Sequence, residues 1–313
     1  MTGTVLKRIL STIPVMAIVA LFVFSLLYIA PGDPAAIIAG DQATPADVDR
    51  IRAGLGLDRP FLVRFGEWVF RILRGDLGVS IFTNLPVTTM IGQRVQPTLS
   101  LMVLTLILAV SIAVPMGVVA AWRQGTLIDR AVMGFAVLGF SVPVFVVGYL
   151  LAYVFALELD WLPVQGYTPF DQGFFPWLEN LILPAVALGG VYIALIARIT
   201  RATMLEVLQQ DYIRTARAKG AGQGSILFLH ALKNAAVPIV TVIGLGIALL
   251  IGGAVVTESV FAIPGLGRLT VDAILRRDYP VIQGVVLLFS FVYVLVNLLI
   301  DLLYTLFDPR IRY

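Results

Sequence analysis

The sequence has no cysteine and a single histidine, His230. Disulfides, thiolate metal sites and cysteine nucleophiles are excluded, and so is a two-histidine zinc site within the chain. No Gly-x-Ser-x-Gly nucleophile elbow is present. Charge is scarce as well: 13% of residues are charged and 59% are hydrophobic. A soluble domain is about a quarter charged and about half apolar. With a mean hydropathy of +0.96, the excess needs a second apolar solvent, so the chain reads as an integral membrane protein. Disorder and nucleic-acid binding are disfavoured. The net charge of +3 is small for a pI of 9.3, and arginines at membrane edges account for it without a nucleic-acid partner.

What is present is a set of six long apolar runs. The first, Ile9 to Ala30, is about 22 residues, enough to cross a bilayer core. It is too long for a signal peptide and has no convincing cleavage site, and Lys7 and Arg8 place its start in the cytoplasm. The others are Thr98 to Trp122, Ala131 to Phe155, Leu181 to Ile199, Val237 to Thr257 and Val281 to Leu306. Three regions follow: residues 1–30, the N-terminus and first span; 31–97, a polar outer region; and 98–313, a five-span core with an inward loop at 200–234. Both termini then lie inside. Arg123, Arg130, Arg201, Arg214, Arg217, Lys219, Lys233, Arg310 and Arg312 all fall on that inner side. The Arg50 to Arg94 group falls outside, in a loop of about 67 residues, where the charge rule weakens.

Two short helices are expected in the outer region. Thr44-Pro45-Ala46-Asp47 starts one and Gly54 ends it. The second starts near Pro60, with Phe61, Leu62, Phe65, Trp68, Val69, Ile72 and Leu73 at helical spacing and Arg64, Glu67, Arg71 and Arg74 on other faces. At about 14 residues it is too short to span and belongs on the membrane surface. It reads either as a lid on the bundle ends or as a seat for an external partner.

Polar and helix-breaking residues inside the spans mark candidate sites. Ser141-Val142-Pro143 near the middle of the third span predicts a bend. Gly244, Ala248 and Gly252 make one smooth face, read as helix packing. Glu258, at the outer end of the fifth span, either lines the mouth of a path or pairs with Arg268. Asn297 and Asp301 share a face of the sixth span, and Asp301 reads as a structural polar group with Arg198 as candidate partner.

The chain is organised around its polar interruption, Asp211 to Pro238. Tyr212, Ile213, Ala216 and Lys219 fall on one side of a helix. Asp211 is placed to cap its start, and Gly220 and Gly222 to end it. A helix of roughly nine residues is marginal alone in water, so it needs a surface, which we read as belonging to another protein. Lys219-Gly220-Ala221-Gly222-Gln223-Gly224-Ser225 is glycine-rich, but no Gly-Lys-Ser/Thr follows and no strand precedes it, so it reads as a turn and not a phosphate loop. His230 is placed at an interfacial helix edge.

Here the chain resembles a family. Arg214-Thr215-Ala216-Arg217-Ala218-Lys219-Gly220 stands where permeases of binding-protein-dependent ABC importers carry a cytoplasmic Glu-Ala-Ala…Gly loop. Arg214 replaces the leading Glu and Thr215 the first Ala, as in the dipeptide/oligopeptide branch. His230-Ala231-Leu232-Lys233-Asn234-Ala235 with Pro238 continues the branch pattern. So do Ala30-Pro31-Gly32-Asp33-Pro34-Ala35, Gly54 to Pro60, Gly75-Asp76-Leu77-Gly78, Glu258 with Phe261 and Pro264-Gly265-Leu266-Gly267, Arg277 to Pro280, Asn297 to Asp301, and Asp308-Pro309-Arg310. The pattern is similar to the first of two paired permeases, nearest the dipeptide and glutathione members.

The resemblance implies an all-α type I ABC importer permease fold of six transmembrane helices, with a large periplasmic region between helices 1 and 2. It implies a non-catalytic, multi-pass inner-membrane subunit with cytoplasmic termini, importing dipeptides or oligopeptides. Its partners would be a second homologous permease, two cytoplasmic ATPase subunits and an external solute-binding protein, besides membrane lipid and with no nucleic acid. This chain would hold no cofactor; ATP and Mg would be bound by the ATPases. Asp211, Tyr212, Arg214, Thr215, Ala216, Arg217, Ala218, Lys219 and Gly220 would couple to them, and Glu258, Phe261, Ser141 and Pro143 are candidates for the pathway or outer gate. Glutathione or a nickel chelate as cargo, and a stand-alone secondary transporter, remain alternatives.

Overall fold

The computed structural model describes residues 2–29, 33–39, 43–54 and 57–307. Side chains at 2–9, 34, 37, 38, 51, 54 and 301–307 lie outside that description, Lys7, Arg8 and Asp301 among them. So do the motif pieces at 30–32, 55–56 and 308–313.

The described elements are helices: α1 (Thr2–Ile29), α2 (Pro34–Ala39), α3 (Pro45–Gly54), α4 (Phe61–Leu73), α5 (Val87–Trp122), α6 (Leu127–Ser141), α7 (Val144–Leu151), α8 (Phe174–Leu208), α9 (Asp211–Ala218), α10 (Leu232–Asn234), α11 (Ala236–Val260), α12 (Leu266–Arg276) and α13 (Tyr279–Phe307). π-helical turns at Ala152–Glu158 and Ser225–Ala231 extend α7 and precede α10. In α1, α5, α8, α11 and α13, five helices are long and apolar enough to cross a membrane, and a sixth span forms if α6 and α7 count as one, bent by 102°.

The spanning helices run past their expected starts. The sequence predicts α5 from Thr98, yet it begins eleven positions earlier, at Val87, with Pro97 inside. Burial of Val87, Met90 and Ile91 holds this extra length in place, so packing overrides the missing proline N–H. Helix α8 takes in Glu179, Asn180, Arg201 and Glu206, which a hydropathy criterion leaves out.

The chain divides into two compact units, Met1–Arg94 with Leu269–Val294 and Val95–Arg268 with Leu295–Tyr313. In the first, the apolar face of α4 packs on the last turns of α1 and on α13. Val23, Phe24, Trp68 and Leu287 form that core, with Phe61, Phe65, Val69 and Ile72 against it. The Gln283 amide donates to the Val23 carbonyl (3.3 Å). Asp278, buried, accepts from the Ser80 hydroxyl (2.5 Å) and the Ile81 N–H (3.3 Å), which fixes the turn between Gly78 and Val87. Helix α3 opens on a capping box. The Thr44 hydroxyl donates to Asp47 (2.6 Å) and the Asp47 N–H returns to Thr44 Oγ1 (3.3 Å), and the hydroxyl bond holds the Asp47 carboxyl below its usual range.

In the second unit α8 is the central post. It packs against α6, α7 and α11. Its most apolar window is 67% buried, against 11–33% for the other unbroken spans, so α8 is surrounded by protein while the others keep faces for lipid or a partner. Small residues bring the helices close. A Cβ at Gly139 of α6 would stand 3.2 Å from the Gly190 carbonyl of α8. On α11 the expected stripe does not act as one seam. Gly244 faces Ile300 of α13, and a Cβ at Gly252 would meet nothing within 4 Å. Gly246 and Gly253 instead make room for Tyr192 and Leu188 of α8. The α8 contact governs which side of α11 is small.

Candidate functional site

Helix α9 covers most of the expected coupling segment, and one side chain roots it. Ile213 is fully buried among Val118 and Ala121 of α5, Met204 of α8, and Ile226 and Leu227 of the following turn. The face expected to dock on another protein is therefore split. Ile213 is spent on this chain and Ala216 is half-buried, while Asp211, Tyr212, Arg214, Thr215, Arg217, Ala218, Lys219 and Gly220 remain exposed. Tyr212 is 44% exposed.

Asp211 does not cap the helix. Gln210 holds the preceding extended position without a side-chain bond, and Asp211 is the first helical residue, where its charge still favours the positive end of the helix dipole. The exit follows the expectation at Gly220 only. Gly220 has φ +80°, its N–H donates to Arg217 O (2.9 Å), and the Ala221 N–H reaches back to Ala216 O (3.1 Å). That six-to-one bond closes the helix as a Schellman turn. Gly222 plays no such part, since its φ is not positive. The glycine-rich segment folds as a turn into the π-helical stretch, where His230 is half-buried and its carbonyl accepts from the Asn234 amide (2.6 Å).

Beside this cluster lies a pair that sequence reasoning missed. Asp129 in the first turn of α6 is 4% exposed. It accepts from Arg201 Nε (2.5 Å) and Nη2 (2.8 Å) of α8 and from the Gly125 N–H (2.9 Å). A bidentate guanidinium–carboxylate pair with a further backbone donor leaves little of the charge unsatisfied. Removing one partner of a buried pair is costly. Asp129→Ala should destabilise the detergent-solubilised subunit by about 3 kcal/mol, and adding Arg201→Met should recover part of the loss. Thermal unfolding of the single and double variants checks this; equal melting of Asp129→Ala and wild type would show that the pair contributes nothing.

Of the gate candidates, Ser141 and Pro143 lie at the break in the bent span, and Phe261 packs against its second half. Ser141 and Pro143 are exposed at the break. The Ser141 hydroxyl donates to Val137 O (2.9 Å), and Pro143 precedes the first residue of α7. Helix α7 rests on Phe261, where a Cβ at Gly148 would come within 3.2 Å of the ring. Phe261 is buried and its carbonyl accepts from the Gly166 N–H (3.0 Å).

Glu258, fully buried, stands one turn before Phe261. Its carboxylate accepts from the Thr98 hydroxyl (2.6 Å) and the Arg268 N–H (3.0 Å), and Thr98 Oγ1 in turn accepts from the Leu266 N–H (2.8 Å). The acid therefore meets Arg268 through the main chain. It satisfies donors at the start of α12 that no helix carbonyl can reach. Gly265 and Gly267 crowd it so closely that a Cβ at Gly267 would lie 2.9 Å from Glu258 Oε2.

On α13, Asn297 is half-buried. The side chain of Asp301 lies outside the described residues. Its candidate partner Arg198 is exposed, with the guanidinium 5.3 Å from the centre of the Phe140 ring.

Residues 113–313 match the family described as "Binding-protein-dependent transport system inner membrane component", and residues 1–102 match the family described as "Binding-prot-dependent transport system membrane comp, N-term". The chain is 59% identical to the "Probable peptide ABC transporter permease protein y4tP" of Sinorhizobium fredii, over 99% of each chain. It is 45% identical to the "Glutathione transport system permease protein GsiC" of Pectobacterium atrosepticum, over 98% of each. Its fold is similar to a chain of the inward-facing MetNI methionine ABC transporter, with a TM-score of 0.59 at 19% identity, covering 70% of this chain and 96% of that one. Matched along nearly its whole length, this chain belongs to the binding-protein-dependent transport system inner membrane components and is a multi-pass membrane permease subunit of an ABC importer.

Proposed function

We propose that the subunit forms half of an import pathway for dipeptides or oligopeptides, worked by ATPases on separate chains. One observation carries the coupling role: α9 is rooted by Ile213 and turns Tyr212, Arg214, Arg217 and Lys219 outward. A short helix anchored on one side and exposed on the other can receive a push and pass it to α5 and α8. Its basic residues suit an acidic rim on an ATPase. The remaining partners are a second homologous permease and an external solute-binding protein. Two ATPases hold ATP and Mg, and this chain does no chemistry of its own. The inner-side arginines favour cytoplasmic termini. Along the pathway, the break at Ser141 and Pro143 supplies the movable element, with α7 bearing on Phe261 and Glu258 bracing the turn behind it.

The cargo reading leans on the relative named for peptide transport, and the one named for glutathione keeps that tripeptide as a second reading. A thermal-shift screen of the cognate binding protein against dipeptides, longer peptides, glutathione and nickel separates them, because a ligand that binds only the folded state raises its Tm. Coupling is tested in the assembled complex in vesicles. Gly220→Pro cannot hold φ +80° and loses the Gly220 N–H bond, and Ala216→Glu puts a charge on the half-buried side of α9. Both variants should insert and assemble, yet hydrolysis should run without uptake. Normal uptake in both would refute the coupling role of α9.

A further inference from the structure

The first unit carries an open cavity of about 400 Å³ that the transport reading does not use. Its walls include Phe24 and Leu27 of α1, Arg64, Trp68 and Arg71 of α4, and Tyr279, the first residue of α13. Because α1 ends at Ile29 and α13 starts at Tyr279, the cavity lies where two spans leave the bilayer. This is the depth at which tryptophan, tyrosine and arginine meet headgroups.

Three observations say what fits there. First, neither arginine is paired with a carboxylate among the described residues. Glu67, the acid of α4, is held by both Arg59 amino groups (2.9 and 2.6 Å). Asp76 at the cavity wall accepts from the Gly78 N–H (2.8 Å). Arg64 donates to the Tyr28 hydroxyl and lies over the Phe24 and Tyr28 rings (5.8 and 5.4 Å). Neither Arg64 nor Arg71 forms an ion pair with a carboxylate among the described residues. Second, the floor is apolar and aromatic, with the buried Gln283 amide tied to Val23 O. Third, the opposite side of α4 is also apolar and bare, with Leu62 76% and Leu73 80% exposed. Such a helix belongs in the bilayer interface, and water is a poor neighbour for it.

We propose that this cavity binds an anionic phospholipid, its phosphate between Arg64 and Arg71 and an acyl chain over Phe24, Leu27, Trp68 and Tyr279. Guanidinium groups recognise phosphate through charge-assisted bonds. The volume falls in the range of small-molecule sites, about 300–1,000 Å³, enough for a headgroup and part of a chain. A bound lipid would tie α4 to the ends of α1 and α13.

The test uses the full complex, delipidated in detergent, with phosphatidylglycerol, phosphatidylcholine or inorganic phosphate added, and reads bound lipid by native mass spectrometry beside Tm. Phosphatidylglycerol should be retained and should raise Tm more than phosphatidylcholine does. Arg71→Gln, on an exposed side chain, should weaken its retention by about tenfold, the worth of one charge-assisted contact, and Arg64→Gln/Arg71→Gln by more. Arg74→Gln removes the same charge from outside the cavity, since Arg74 lies over Phe70 (4.1 Å), and should change nothing. Equal retention of the two lipids, a full effect from phosphate alone, or equal weakening by Arg74→Gln and Arg71→Gln would each overturn the proposal.

Discussion

Ile213→Asp is expected to leave the subunit in the membrane and to abolish ATP-driven uptake. Ile213 has no exposed surface, and truncating such a side chain to alanine costs about 2–5 kcal/mol. An aspartate there has the further penalty of a charge with no described partner in an apolar cluster. Helix α9 has eight residues, too few to stand alone, so the loss falls on its docking and spares the bundle. Ile213→Ala should give an intermediate loss. Two measurements belong together: uptake by the reconstituted complex, and trypsin cleavage at Arg214, Arg217 and Lys219. Cleavage should quicken in both variants as uptake falls. An aspartate variant that imports normally would remove the basis of the coupling proposal.

Glu258→Ala should act on stability rather than on coupling. The change strands the Thr98 hydroxyl and the Arg268 N–H, both now satisfied by the carboxylate. An orphaned buried donor costs about 1–3 kcal/mol, so the pair amounts to about 3 kcal/mol or more, before the empty space beside Gly265 and Gly267 is counted. Gly267→Ala should be comparably damaging, because its Cβ would stand 2.5 Å from the Val255 Cα, main chain that cannot swing aside. Thermal denaturation of the solubilised subunit reads both, with Glu258→Gln less affected because the amide still offers one acceptor. If Glu258→Ala melts with the wild type, the acid does not hold the α11–α12 turn, and a role in the path becomes the better account of its burial.

The apolar runs were legible because period and length alone decide them, and the bend was legible because Pro143 cannot continue a helix ladder. What escaped was set by approach between distant segments. Asp129 and Arg201 stand 72 positions apart, and nothing local to either announces the other. The root of α9 was ambiguous for a geometric reason: Tyr212 and Ile213 are neighbours about 100° apart on the helix, and only the floor beneath decides which one is buried. Arg268 was one of two readings offered for Glu258, but as a charge; the contact runs through its N–H, since donors at a helix start are invisible in a list of charges. Likewise Arg64 and Arg71 read only as residues off the apolar face of α4, and their place beside one cavity is set by α1 and α13.

Helix α8 runs unbroken for 35 residues, a rod of about 52 Å at 1.5 Å per residue. Its C-terminal end is gripped by Asp129 and the Ile213 cluster, and its N-terminal end carries Trp177 against the rings of Phe170 and Phe174. In the coupling proposed above, a small tilt imposed beside α9 would reach the N-terminal end of the rod as a sideways swing, and α6 and α7, which pack against it on either side of the break at Pro143, would absorb it.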